Sequence, residues 1–386
     1  MNIPIGGSCH PRFEAVRDAL ERNMAALEEV GCAVSVTLEG ETVVDLWAGY
    51  RDAHRSLPWE RHTITSLRSV VKSMASLCVL RLAGQGVIDL DAPVATYWPE
   101  FAQNGKERIT VRAMISHQAS LPYADAAPRG SLYTPGVVEA ALEVQKPEWE
   151  PGSTPCYHSF TYPVLCAALV RHASGRSIHD YYREEIAKPL GTEYWIGLEE
   201  EQFKLCAQYI ETPGTPSLDG MKRNTASPLY RAWTPLPLDE DYNSHNWFRS
   251  EYTGHGNARG AAGVFAALAN GGSLNGYTVV DAAILAEAVK PQWDAVEFMT
   301  KRPFRMGLGV MLSCEPFRMG GYAANFGHPG MGGALVFADP ERRMSFSYCP
   351  NRMSPIADAG PYATALIDAA YAAVKSGSGS AGSGSA

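Results

Sequence analysis

Hydrophobic and polar positions follow two different periods along this chain, and each period marks its own segments. Near the start, an apolar stripe with members three or four positions apart predicts an amphipathic helix over 12–29. The stripe consists of Phe13, Val16, Leu20, Met24 and Leu27. Two runs rich in β-branched residues follow at 33–38 and 42–47. The short turn at 39–41 between them predicts a β-hairpin.

Helical periodicity dominates the middle of the chain, and strand-like runs return towards its end. Further helical patterns cover 110–117, 162–173, 180–187, 260–268, 282–289 and 362–374, and strand-like runs cover 306–312, 334–338 and 344–349. Because strands lie at both ends with helices between them, the pattern predicts an α+β fold. We expect residues 1–65 and 257–375 to form one α/β body. Residues 66–256 are then an inserted, mostly helical subdomain.

The stretch 197–256 has no clear period and is rich in proline and aromatic residues. A segment of this length without periodicity is typically a functional loop or lid. We therefore expect an aromatic lid in this part of the helical subdomain. Its aromatic residues include Tyr209, Tyr230, Trp233, Tyr242, Trp247, Phe248 and Tyr252.

The composition is that of an ordered globular protein, since 46% of the 386 residues are hydrophobic and 19% are charged. A formal charge of −8 argues against nucleic acids and anionic membranes as partners. No apolar stretch reaches the length of a membrane span, and the first residues do not have the pattern of a signal peptide. The final run, 376–386, contains only Ser, Gly and Ala and is interpreted as a linker or tag.

The eight cysteines are scattered without C-x-x-C spacing, and most lie in apolar segments. This distribution predicts buried free thiols and a reducing, cytoplasmic location. The sequence has no H-E-x-x-H motif and no Cys/His cluster at ligand spacing, so we expect neither a metal site nor another cofactor. It makes no prediction of the oligomeric state.

The strongest chemical signal is the S-x-x-K pair formed by Ser69 and Lys72, which an unbroken apolar run follows up to Gly84. That run predicts a buried helix, on which positions i and i+3 share one face. Ser69 in the first turn would have free N–H groups beside it, and apolar surroundings would favour the neutral amine of Lys72. A serine with a base in reach is an activated nucleophile. Alone, the motif is short enough to be a capping serine and a surface lysine.

Two further groups could complete a site around Ser69. Tyr157 and Ser159 lie just before a predicted helix, and His328, Gly330 and Met331 lie in a glycine-rich turn before a predicted strand. Taken singly, each also has a structural interpretation: a tyrosine that caps a helix, a histidine satisfied in the core, and glycines that form a turn.

Taken together and in this order, the three groups resemble the S-x-x-K, Y-x-N/S and K-T-G-like motifs of the serine β-lactamase and penicillin-binding-protein superfamily. The resemblance is strongest to its class C-like branch, the family VIII carboxylesterases, whose third motif often reads H-x-G. Framework segments at 88–93, 98–101, 188–191 and 337–340 also resemble that family. The resemblance implies a class C β-lactamase-like fold, with an antiparallel sheet flanked by helices and an inserted helical subdomain.

The resulting prediction is a serine esterase that hydrolyses small-molecule carboxylic esters through an acyl-enzyme on Ser69. Lys72 accepts or relays the proton, and Tyr157 hydrogen-bonds Ser69 and Lys72, passes the proton to the leaving alkoxide and then activates the deacylating water. Either Lys72 or Tyr157 could be the formal base, because coupled groups titrate together. The backbone N–H groups of Ser69 and Met331 form the expected oxyanion hole. The candidate substrate-binding residues are Ser159, His328, Gly330, Trp233, Trp247 and Phe248.

Two alternatives stay open at this point. One is another acyl chemistry on the same site, namely β-lactam or amide hydrolysis or acyl transfer, and the other is a binding protein without turnover. The sequence departs from the family pattern at Val71, which replaces threonine, and at Ser120, which replaces a glycine. His328 stands where β-lactam-hydrolysing relatives have a lysine, and a neutral histidine there favours esters over anionic β-lactams.

Overall fold

The structure, a computed structural model, describes residues 3–26, 29–212, 224–354 and 360–378. Leu27 of the predicted apolar stripe and residues 379–386 of the predicted linker lie outside the described residues. Within these ranges, no helix is both long enough and apolar enough to cross a membrane.

A large antiparallel sheet forms the centre of the fold. The described strands are, in chain order, β1 (Ile5–Cys9), β2 (Gly31–Leu38), β3 (Glu41–Gly49), β4 (Thr65–Ser66), β5 (Tyr194–Ile196), β6 (Gly254–Gly256), β7 (Ser273–Leu274), β8 (Tyr277–Thr278), β9 (Trp293–Val296), β10 (Pro303–Met306), β11 (Met311–Leu312), β12 (Phe326–Pro329), β13 (Leu335–Asp339) and β14 (Met344–Pro350). Nine strands form the sheet in the order β1-β3-β2-β14-β13-β12-β11-β10-β9, and all neighbours are antiparallel. The predicted hairpin, β2 and β3, therefore lies beside strands from the other end of the chain.

Helices hold more of the described residues than strands do. The described α-helices are α1 (Glu14–Ala25), α2 (Val70–Gly84), α3 (Val111–Ile115), α4 (Val137–Val144), α5 (Thr161–Ser174), α6 (Ile178–Tyr182), α7 (Lys188–Leu190), α8 (Pro228–Ala232), α9 (His245–Arg249), α10 (Ala258–Ala269), α11 (Ala282–Ala288) and α12 (Gly360–Ser378). A π-helical turn, Arg183–Ala187, joins α6 to α7. Shorter 3-10 turns are Pro11–Phe13, Val94–Thr96, Pro99–Phe101, Ser131–Tyr133 and Glu200–Leu205.

Helices cover both faces of the large sheet. On one face, α1 packs against α12, and Asn23 donates to the carbonyl of Tyr362 across the two helices (2.9 Å). On the other face, α10 packs against β2, β13 and β14, where Ser345 donates to the carbonyl of Ala262 (2.7 Å). The small side chain of Ser345 lets the helix approach closely. Both faces of the central strands are therefore buried, and in β14 the buried Ser345 and Ser347 alternate with apolar residues.

The inserted helical part begins and ends at neighbouring strands. In the small sheet β4-β6-β5, Thr65 pairs with Gly256 and Ser66 pairs with His255. These pairs lie where the predicted subdomain starts and stops. The division of the chain into body and subdomain stays a prediction. The pairing of β4 with β6 holds the chain in place three residues before Ser69.

Two predicted features near the site differ from the structure. The prediction of one strand over 306–312 is wrong, because Gly309 adopts a left-handed conformation (φ 73°) and the N–H of Gly307 donates to Val310 (2.9 Å). The chain therefore reverses between β10 and β11. His328 lies within β12, where it pairs with Val336 of β13, and not in a turn before a strand.

The ends of the chain also differ from the prediction. Strand β1 has no apolar period because Gly6 and Gly7 interrupt it, yet it pairs with β3 along its length. The predicted helix over 12–29 begins with a 3-10 turn, and its α-helical part ends at Ala25. Helix α12 ends at Ser378, so the first three residues of the predicted linker belong to a helix.

Candidate active site

Ser69 lies at the junction of β4 and α2, where it is the N-cap residue of the helix. Leu67 fixes the incoming chain, because its N–H donates to the carbonyl of Gly254 in β6 (3.0 Å). Arg68 has a left-handed backbone (φ 54°) that turns the chain into the helix. The sequence predicted Ser69 one position later, in the first turn. Either position leaves its N–H outside the helical hydrogen bonds.

Lys72 stands one turn into α2, and its Nζ donates to Ser69 Oγ at 3.2 Å. Lys72 is 4% exposed, and Nζ lies 4.9 Å from the centre of the Tyr157 ring. Burial, together with the charge of Arg68, lowers the pKa of Lys72 to about 7. A substantial fraction of Lys72 is therefore a neutral amine at neutral pH. A neutral amine in this position can accept the proton of Ser69.

Tyr157 brings a phenol to the same place from the loop before α5. Its ring stacks on His117, with ring centroids 4.8 Å apart, and on Phe304, at 5.7 Å. Burial raises the pKa of Tyr157, although a hydrogen bond to Ser69 acts in the opposite direction. The phenol is therefore protonated at neutral pH. It can donate a proton to an oxygen in the site.

A fully buried carboxylate holds the backbone of Tyr157. The N–H of Tyr157 donates to Glu297 Oε2 at 3.2 Å. The same carboxylate accepts hydrogen bonds from the N–H of Met299 (2.8 Å) and from the N–H and hydroxyl of Thr300. Glu297 therefore ties Tyr157 to the loop between β9 and β10. No pattern in the sequence indicates a role for Glu297.

His328 faces Tyr157 from β12, with Nε2 3.4 Å from the phenolic oxygen. Its Nδ1 donates to the carbonyl of Pro329 (2.7 Å), so Nε2 is left to accept from Tyr157. Burial and the charge of Lys72 lower the pKa of His328 to about 3. The expectation of a neutral histidine at pH 7 therefore agrees with the geometry. The side chain is directed at Tyr157 as well as at the cavity.

The backbone amides predicted to form an oxyanion hole belong to Ser69 and Met331. Among the described residues, neither the N–H of Ser69 nor that of Met331 donates to a protein acceptor. Both residues line the same cavity. The N–H of Gly330 donates to Ala334 (2.6 Å) and Tyr209 donates to the carbonyl of Met331 (3.2 Å), so the turn that carries Met331 is held on both sides. Two free amides beside a serine Oγ can bind a developing oxyanion.

A cavity of about 220 Å³ contains these groups. Of the predicted site residues, it is lined by Ser69, Lys72, Tyr157, Ser159, Trp233, Trp247, His328, Gly330 and Met331. Phe248 is not part of the lining, because its ring packs on Phe203 (5.4 Å) and His255 (5.7 Å). Phe248 therefore packs inside the aromatic segment and does not make the predicted substrate contact.

The cavity also has lining residues that the sequence did not single out. Two of them are the cations Arg68 and Arg302. The site therefore carries more positive charge than the histidine in the third motif led us to expect. The guanidinium of Arg302 lies over the ring of Phe317 (4.8 Å), another lining residue. Arg68 could have been identified from the sequence, because it directly precedes Ser69. No sequence signal points to Arg302, because the pairing of β10 with β9 brings it to the site.

The departure from the family pattern at Ser120 has a structural consequence. Ser120 adopts a left-handed backbone (φ 56°), the conformation that glycine usually supplies. His117, three residues earlier, also has a positive φ (63°) and stacks between Tyr157 and Tyr162. Its Nδ1 accepts from the N–H of His158 (3.0 Å). This turn therefore supports the ring of Tyr157 from behind.

The fold and this cavity define a serine hydrolase of β-lactamase architecture. A family model described as Beta-lactamase matches residues 16–371, and the chain belongs to the β-lactamase family. This match confirms the family and the fold class predicted from the motifs. Among the described residues, no group of three or more His, Cys, Asp or Glu side chains is arranged to hold a metal ion.

Similar proteins include esterases and penicillin-binding-protein homologues. The esterase/β-lactamase LipL of Mycobacterium tuberculosis (strain ATCC 25618 / H37Rv) is 28% identical over 91% of this chain and 84% of its own. A solved family VIII carboxylesterase is 33% identical with a TM-score of 0.86, and covers 96% of this chain and 100% of its own. A penicillin-binding-protein homologue from Caulobacter crescentus is 32% identical with a TM-score of 0.87 and the same coverage.

Proposed function

We propose that this protein hydrolyses carboxylic esters through an acyl-enzyme on Ser69. The observation that carries the proposal is the pair of Ser69 Oγ and Lys72 Nζ, 3.2 Å apart, with the pKa of Lys72 lowered to about 7. The similarity to LipL and to a family VIII carboxylesterase supports the choice of esters. The cavity suits an apolar acyl group, since Trp233, Trp247 and Phe304 are in its wall.

In the first half of the reaction, neutral Lys72 accepts the hydroxyl proton of Ser69 while Oγ attacks the ester carbonyl. The tetrahedral oxyanion lies between the N–H groups of Ser69 and Met331, each of which contributes about 3–4 kcal/mol in comparable sites. Tyr157, which is protonated, donates its proton to the leaving alkoxide. The ammonium of Lys72 then returns a proton to Tyr157, and the alcohol leaves.

In the second half, a water molecule attacks the acyl group and gives its proton to Lys72. The same two amides bind the second oxyanion. When this intermediate collapses, Ser69 Oγ leaves and takes the proton back from Lys72, so the free enzyme is restored. This assignment makes Lys72 the base and Tyr157 the acid, because burial lowers the pKa of the first and raises that of the second.

A second candidate is β-lactam hydrolysis on the same site. It is favoured by the guanidinium of Arg302 in the cavity wall, which could bind the carboxylate of a β-lactam. The name of LipL includes this activity as well. We place ester hydrolysis first because an alkoxide leaves more easily than an amine.

We also propose a reducing, cytoplasmic location. All eight cysteines are free thiols, and five of them are buried. Free thiols in this number are typical of proteins from a reducing compartment. Measurement of the distribution between cell fractions of the source organism would test this.

The test of the main proposal is covalent labelling. A fluorophosphonate probe should label the protein once, on the peptide that contains Ser69, and Ser69→Ala should abolish both labelling and hydrolysis of p-nitrophenyl butyrate. Ser73→Ala is the matched control, since Ser73 lies one turn along α2 but donates to the carbonyl of Gly309 (2.7 Å). Labelling of another residue, or turnover by Ser69→Ala, would overturn the assignment.

A further inference from the structure

The side chain of Arg68 is enclosed by aromatic rings. Its guanidinium carbon lies 3.8 Å from the ring centre of Tyr242, 4.7 Å from that of Trp247 and 5.1 Å from that of Tyr209. Arg68 is 6% exposed, and its Nη1 is buried without a hydrogen-bond partner among the described residues. A buried arginine normally forms an ion pair with a carboxylate. Here π faces stabilise the cation instead.

This surrounding has an electrostatic consequence. An aromatic ring attracts a cation through its quadrupole but carries no net charge, so it does not cancel the positive charge as a carboxylate would. Glu240 acts on Arg68 from the same aromatic segment, and burial raises the pKa of Glu240 to about 7. Glu240 is therefore only partly ionised at neutral pH. His255, also near Arg68, is neutral because burial lowers its pKa to about 3.

The charge of Arg68, which Glu240 offsets only in part, acts on the proposed base. Arg68 directly precedes Ser69, Lys72 is one turn further along, and all three line one cavity. In a buried site, two like charges disfavour each other much more than in water. Protonation of Lys72 would add a second cation to the lining of this cavity.

The other groups around Lys72 are uncharged at neutral pH. Tyr157 is a protonated phenol, and His117 and His328 are neutral, because burial shifts the pKa of each towards its uncharged form. Cys166 in α5 is a thiol, since burial raises its pKa to about 12. Of the described residues that act on Lys72, Arg68 is therefore the one that carries a charge at neutral pH.

We propose that Arg68 is a positioning residue that acts through Lys72, because its caged charge keeps Lys72 in the neutral form that accepts the proton of Ser69. The aromatic segment at 197–256 then has a second role besides forming the cavity wall. It holds a cation in place and neutralises it only in part, through Glu240. This inference rests on the proposed function, in which Lys72 is the base.

The test compares two variants of similar size that differ in charge, Arg68→Lys and Arg68→Gln. For each, kcat/KM for p-nitrophenyl butyrate is measured from pH 5 to 10. Wild type should lose activity below about pH 7, and Arg68→Lys should keep that midpoint. Arg68→Gln should move the midpoint upward by roughly one pH unit, because loss of a like charge raises the pKa of Lys72. Its activity should approach that of Arg68→Lys at pH 9.5.

Each contrary result has a distinct meaning. If Arg68→Gln is uniformly less active with an unshifted midpoint, Arg68 is only structural and the inference is wrong. If wild type neither loses activity at acidic pH nor becomes labelled on Ser69, the proposed function is wrong, and the inference about Arg68 is wrong with it. Arg68→Met, an apolar side chain suited to the aromatic cage, replaces Arg68→Gln if that variant does not fold. Folding only with a charged residue at this position would also overturn the inference, because the charge would then serve stability.

Discussion

Gly330 lies so close to Leu67 that a Cβ on the glycine would stand 2.3 Å from the carbonyl oxygen of Leu67. The end of β12 therefore rests directly on the turn that precedes Ser69. This contact holds the turn that carries Met331 against the turn that carries Ser69, and both residues line the same cavity. The third motif thus requires glycine at this position because a side chain would collide with Leu67. Its contribution to substrate binding is indirect.

The first prediction follows from this contact. Gly330→Ala should push the β12 turn away from Ser69 and misplace the N–H of Met331. We expect kcat to fall by about 10²-fold, which is the usual effect of losing one oxyanion donor. Gly86→Ala is the control, since Gly86 has a positive φ but open space around it. It should lose a little stability and no activity, and a Gly330→Ala enzyme with normal kcat would exclude this oxyanion hole.

The second prediction concerns Lys72 and pH. Because its pKa is lowered to about 7, the neutral base is lost as the pH falls through 7, and kcat/KM should fall with it. Activity should stay constant up to about pH 9, because the pKa of Tyr157 is raised and its phenol stays protonated. Lys72→Arg should be as inactive as Lys72→Met, since arginine keeps the charge but cannot act as a base.

The measurement is kcat/KM against pH for wild type and initial rates for the two variants. Circular dichroism checks that all three proteins are folded. Substantial activity in Lys72→Arg would mean that Lys72 serves only to place a charge beside Ser69. An acidic limb near pH 10 would mean that Lys72 keeps its ordinary pKa.

The third prediction separates the chemical role of Tyr157 from its placement. Tyr157→Phe keeps the stacking on His117 but removes the proton donor, so kcat should fall by at least about 10²-fold. Glu297→Gln keeps one acceptor for the N–H of Tyr157, whereas Glu297→Ala removes it. We therefore expect Glu297→Gln to retain most activity and Glu297→Ala to lose kcat and thermal stability together. Equal activity of Tyr157→Phe and wild type would make Tyr157 structural.

Much of the site could be predicted because part of it is local. The distance between Ser69 and Lys72 follows from the helix that carries both, and the apolar run after them identifies that helix. The hairpin of β2 and β3 is equally local, because its turn lies within three residues. The family resemblance then supplied Tyr157 and His328, which no spacing rule connects to Ser69.

The remaining parts depend on contacts between distant segments. Glu297 meets Tyr157 across 140 positions, and nothing in either neighbourhood indicates the pair. Arg302 lies in the cavity because β10 follows β9 along the sheet edge. The composition of the aromatic segment predicts a functional lid, but it does not distinguish single residues in it. Trp247 lines the cavity, for example, whereas the adjacent Phe248 packs on Phe203.

The last prediction concerns the substrate class. We expect kcat/KM for p-nitrophenyl butyrate to exceed that for nitrocefin, a β-lactam with a carboxylate. His328 replaces the lysine of β-lactam-hydrolysing relatives, and with its pKa lowered to about 3 it offers no charge at any working pH. Loss of one charged hydrogen bond costs roughly 10- to 100-fold. Of the two arginines in the cavity lining, Arg68 is enclosed by aromatic rings, so Arg302 is the candidate cation for a substrate carboxylate.

Two variants decide which of these side chains sets the preference, each assayed with both substrates at one pH. His328→Lys should raise nitrocefin turnover relative to the ester, because a longer cationic side chain reaches the cavity that His328 lines. Arg302→Met should leave ester turnover nearly unchanged. If wild type handles nitrocefin as well as the ester and Arg302→Met loses only the nitrocefin activity, the guanidinium of Arg302 recognises the carboxylate. The ester preference inferred from His328 is then wrong.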